Sequence, residues 1–122
     1  MIEPTAEQIE ALRKPRLRDW QHETAQELRQ RFPDHAVARP PEATGALVAR
    51  AVEVGPSYGV TSGYDVRRLA ECLLLYGPAF PEGEHDAWAK RILRRDDLGG
   101  REKMDAISEY ETFALAFRGP GQ

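Results

Sequence analysis

The stretch Thr61–Tyr76, TSGYDVRRLAECLLLY, decides how this chain folds. Val66, Leu69, Ala70, Leu73 and Tyr76 recur at the spacing that places side chains on one face of an α-helix. Cys72, Leu74 and Leu75 make the second half apolar nearly all round. A helix without a polar face belongs in the middle of a bundle. Thr61 or Ser62 is placed to cap it, because a hydroxyl there accepts an N–H that the helix leaves unpaired. Gly77-Pro78 stops it.

The flanking segments supply the neighbours that such a helix requires. Downstream, after the loop AFPEGEHD, Trp88, Ala89, Ile92 and Leu93 form another stripe that ends in RRDDLGG, residues 94–100. A last helix reads Met104, Ile107, Tyr110, Phe113, Ala114 and Phe117, followed by RGPGQ, residues 118–122, as an expected flexible tail. Upstream, Glu42–Val54 carries Ala43, Ala46, Leu47, Arg50, Ala51 and Val54, a face of small residues that lets a neighbour approach closely. Leu17, Trp20, Thr24, Leu28 and Phe32 predict an amphipathic helix closed by Pro33. Before it, Thr5 with Gln8 is a capping-box pattern, and a short helix or arm within residues 1–15 is expected to end or kink at Pro15. Only AVARP, residues 36–40, suggests locally extended chain, and no stretch alternates as a half-buried strand must. The expected fold is therefore all-α, a single-domain bundle of about five helices over residues 1–122.

Charge limits the functions open to such a domain. The 122 residues hold 17 basic and 20 acidic side chains. Up to Val60 there are 8 and 9, and beyond it 9 and 11, so neither half is a polycation. Nucleic-acid binding is not expected from that balance. The densest basic run, Arg13, Lys14, Arg16 and Arg18, is interleaved with Glu10, Asp19 and Glu23, which makes it a partly neutralised helix face. Cys72 is the single cysteine, so no intrachain disulfide forms and a reducing compartment is expected. The N-terminal MIEPTAEQIE has neither the basic nor the apolar region of a signal peptide, and the longest apolar run, Cys72–Tyr76, is too short for a bilayer. The expected location is the cytoplasm, without membrane contact.

One cluster invites a chemical reading. Glu82, Glu84, His85 and Asp86 lie within five residues, the composition of a metal site or an acid/base pair, and a metal-binding hydrolase or sensor is the catalytic alternative. No HExxH accompanies them, and His22 and His35 are distant. Acids beside a helix start are explained by its unpaired N–H groups, and Asp86 or Glu84 is the expected cap. Cys72 among leucines reads as a small buried apolar group, not a nucleophile. GPSYGVTSGYD, residues 55–65, has glycines but fits no phosphate-loop pattern, so it reads as a turn that offers Tyr58 and Tyr64. No metal and no cofactor are expected.

The segments LRQRFP, RAVEVGPSYGVTSGYDV, LLLYGPAF, WAKRIL and KMDAI, taken in order, resemble a family of small helical bacterial accessory proteins associated with polymorphic-toxin and type VI secretion gene clusters. The matching residues are packing and turn motifs, without a catalytic signature. The resemblance implies a non-enzymatic cytosolic protein that binds one protein partner, a toxin or a secretion component. Its role would be that of adaptor or chaperone, or of an immunity protein. From the residues themselves, the expected contacts are Tyr58, Tyr64, Phe80, Glu82, Glu84 and Asp86, because they stand outside the clear core stripes.

Overall fold

A computed structural model of the chain describes residues 14–34 and 40–115. Among these it has five α-helices and no strand: α1 Lys14–Arg31, α2 Pro41–Val54, α3 Gly63–Tyr76, α4 Ala87–Leu93 and α5 Gly100–Tyr110. A 3₁₀ turn, Gly55–Tyr58, follows α2, and a π turn, Glu111–Leu115, follows α5. The all-α expectation is met. The capping-box helix near Thr5, most of AVARP and the tail at 118–122 fall outside the described residues.

The central helix is α3, packed against both α2 and α5, while α1 lies on α2 and α4 on α5. Leu69, Leu73 and Leu74 of α3 are fully buried together with Leu28, Val48, Leu93, Met104 and Ile107. Each such aliphatic side chain contributes roughly 1.5–3 kcal/mol by leaving water, which is why this apolar helix sits where it does. No helix among the described residues is long and apolar enough to cross a membrane.

Several local expectations are corrected by the packing. Pro15 stands in the first turn of α1, where a missing N–H has no helical partner to lose, and the short helix or arm expected before it lies outside the described residues. The buried face of α2 is Thr44, Leu47, Val48 and Ala51, whereas Ala46 and Arg50 are exposed. The face is rotated because Thr44, although polar, sits in the α1–α2 seam and accepts a hydrogen bond from Arg29 Nη1 at 3.3 Å. Phe113, expected on the core face, is 63 % exposed. The π turn beginning at Glu111 widens the helix there and carries Phe113 off the stripe of Met104 and Ile107.

Phe80 is also corrected, since it is 4 % exposed and belongs to the core. The chain turns back after Gly77 and stacks Phe80 on Tyr76, with ring centroids 5.4 Å apart. Trp88 meets Tyr76 edge-on at 5.7 Å and stacks on Tyr110 at 4.5 Å, so one aromatic cluster ties the long loop to α3, α4 and α5.

Candidate functional site

The loop acids do not assemble a site. Asp86 occupies the N-cap position of α4 but makes no side-chain cap. Its buried carboxylate turns back and accepts the Gly83 N–H at 3.0 Å, closing the loop on itself. Glu82 pairs with Lys90 at 2.5 Å and lies 3.7 Å from Arg94. The hydrogen bond from Lys90 holds its carboxyl below the usual glutamate range. Glu84 and His85 are exposed. Among the described residues no group of three or more His, Cys, Asp or Glu side chains converges as metal ligands do. The buried position of Asp86 also removes it from the expected contact surface.

Residues do converge at the start of α3, where the sequence predicts a cap at Thr61 or Ser62 and a turn that offers Tyr64. Ser62 caps the helix, its Oγ accepting the Asp65 N–H at 3.2 Å and donating to Asp65 Oδ2 at 2.9 Å. Asp65 is thereby turned inward and is only 4 % exposed. A buried carboxylate requires compensating donors. Arg101 supplies them from the first turn of α5, its Nε lying 2.9 and 2.8 Å from the two Asp65 oxygens. That hydrogen bond and the carboxylate charge hold the Arg101 guanidinium even further toward its protonated form.

Arg68, one turn along α3, completes the network. Its Nη1 reaches Asp65 at 3.3 Å and Asp105 at 2.8 Å, and its Nη2 donates to the Met104 carbonyl at 2.9 Å and to Ser108 Oγ at 2.8 Å. Both arginines lie over Tyr64, with guanidinium carbons 5.3 Å (Arg68) and 4.8 Å (Arg101) from the ring centroid. Tyr64 nevertheless remains 44 % exposed. The arrangement is a tyrosine held at the surface by two cations that a buried carboxylate positions.

The backbone brings these elements together. Gly59, in the left-handed region at φ 76°, turns the chain out of the 3₁₀ segment, and its carbonyl packs directly against Gly100. No Cβ fits at Gly100, so the start of α5 requires glycine there. The Gly99 N–H donates to Glu102 Oε1 at 3.0 Å, and Lys103, although largely buried, donates from Nζ to the Tyr58 carbonyl at 3.0 Å. Tyr58 is half-buried, with its side chain packed against the core. Of the expected contacts, Tyr64, Glu82 and Glu84 present the most surface, Tyr58 less, and Phe80 and Asp86 almost none.

Two other features differ in character from this surface. A groove of about 680 Å³ between α1 and α2 is lined by Arg18, His22, Ala25, Arg29, Pro41 and Gly45 among others, with mostly apolar walls. Between α3 and α5, the Tyr76 hydroxyl donates to Glu111, and burial pushes the Tyr76 hydroxyl and the Cys72 thiol upward from their ordinary values. An enclosed thiol that resists ionisation is not a nucleophile.

Arg68 and Arg101 were not singled out by sequence reading. Ser62 and Asp65, three residues apart at a helix start, do carry a local signal; the arrival of Arg101 at Asp65, from 36 residues further on, does not. Compared with known proteins, the chain matches no family model, no curated protein and no solved structure.

Proposed function

We propose that this chain is a non-enzymatic protein-binding module whose contact surface centres on Tyr64. One observation carries the reading: an exposed aromatic ring packs against the guanidinium groups of Arg68 and Arg101, both of which hydrogen-bond to the buried Asp65. Tyrosine and arginine dominate the energetic centres of protein interfaces, and a side chain already ordered in the free protein loses less entropy on binding. The packing motifs, taken in order, resemble toxin-associated accessory proteins, and that resemblance supports a cytosolic adaptor or chaperone for a toxin or secretion effector. Immunity protein is the other role within that reading.

The test is capture of the tagged chain's partner from its native cells, identification by mass spectrometry, and calorimetry with both components purified. Tyr64→Ala is expected to weaken binding by about 30-fold, equivalent to about 2 kcal/mol. An affinity within twofold of wild type overturns the proposed surface. Inhibition of a captured toxin's activity by the chain selects the immunity role, and undiminished activity selects the adaptor.

A further inference from the structure

The two arginines beside Tyr64 differ in what they can still bind. Arg68 is 14 % exposed and directs its Nη groups to Asp65, Asp105, Met104 and Ser108. Arg101 is 55 % exposed and reaches Asp65 through Nε alone. A guanidinium is planar and rigid, so fixing Nε against the buried carboxylate turns the opposite edge, with its two Nη groups, away from it. That edge meets no hydrogen-bond acceptor among the described residues, and neither does the Tyr64 hydroxyl.

Two parallel N–H donors at fixed spacing match a carboxylate bidentately. A phosphate also fits such a fork, but a dianion needs an excess of positive charge around it. Here only Arg101 has an edge to offer, because the Nη groups of Arg68 are already taken by Asp65, Asp105, Met104 and Ser108. A singly charged acceptor requires only the one open edge. Resting on the reading of Tyr64 as a partner contact, we infer that the partner presents an aspartate or glutamate side chain to the Nη edge of Arg101, beside the Tyr64 ring.

Calorimetry with the purified partner separates this inference from the reading beneath it. Arg101→Lys keeps the charge and removes the fork, and is expected to weaken binding at least about tenfold, with replacement of one partner acid by its amide giving a similar loss. Phenylglyoxal modification of the wild-type chain, mapped by mass spectrometry, is expected to label Arg101 in the free protein and to spare it in the complex; this arm needs no variant to fold. If Tyr64→Ala weakens binding but Arg101→Lys stays within twofold and Arg101 remains reactive in the complex, the carboxylate inference is overturned and the surface stands. If Tyr64→Ala has no effect, both fall. Loss of binding after phosphatase treatment of the partner overturns the carboxylate in favour of a phosphorylated side chain.

Discussion

Arg101 Nε lies 2.9 and 2.8 Å from the two carboxylate oxygens of Asp65, joining the first turn of α5 to the first turn of α3. Asp65→Ala leaves the largely buried Arg68 without one of its carboxylates and removes the acceptor of Ser62. It is expected to lower unfolding stability by about 3 kcal/mol, against about 1 kcal/mol for Ser62→Ala, which loses only a cap. Urea titrations of the two variants measure both, and equal losses would mean that Asp65 acts only at the helix end.

Phe80 separates core packing from the contact proposed at Tyr64. Phe80→Ala empties a buried site in the aromatic cluster and is expected to cost about 3–4 kcal/mol, while partner affinity of the folded fraction stays within twofold. Thermal melts together with calorimetry decide the matter. A loss of affinity without a loss of stability would return Phe80 to the contact surface.

The glycines make opposite demands. A Cβ at Gly45, inside α2, meets nothing within 4 Å, so Gly45→Ala is expected to stabilise the protein by about 0.5–1 kcal/mol through helix propensity. A Cβ at Gly100 overlaps the Gly59 carbonyl, so Gly100→Ala is expected to destabilise by about 1–3 kcal/mol. The sign of each shift in Tm is the observable.

Glu71 carries a pH dependence whose sign follows from its burial. Desolvation raises its carboxyl above the ordinary value, outweighing the attraction of Arg31, Arg67 and Arg68. The folded state therefore holds this proton more tightly than the unfolded chain, and this contribution to stability is lost as pH rises from about 4.3 through the raised folded value. Relative to wild type, Glu71→Gln is expected to gain stability between pH 4 and pH 7 and to match it below that window. Urea unfolding at the two pH values checks it, and a variant that loses ground as pH rises contradicts the assignment.

The helical framework was legible because its signals are local. Val66, Leu69, Ala70 and Leu73 share a face through backbone geometry alone, Gly77-Pro78 ends α3 wherever it is packed, and the second half of that helix, apolar nearly all round, belongs in the middle. The face of α2 was misjudged because the buried Thr44 reads as polar until its Arg29 donor is seen across the seam. Phe80 was misjudged because a loop between helices has no periodicity from which to read its direction.

What the sequence determined by itself is therefore the all-α class and the position of α3 as the central helix. Tertiary structure alone decided the site. Asp65 and Arg101 meet only because the Gly59 carbonyl packs against Gly100 and sets the start of α5 beside the start of α3. No spacing along the chain records that meeting, since hydrogen bonds and desolvation act over a few ångströms of space, whatever the separation in sequence.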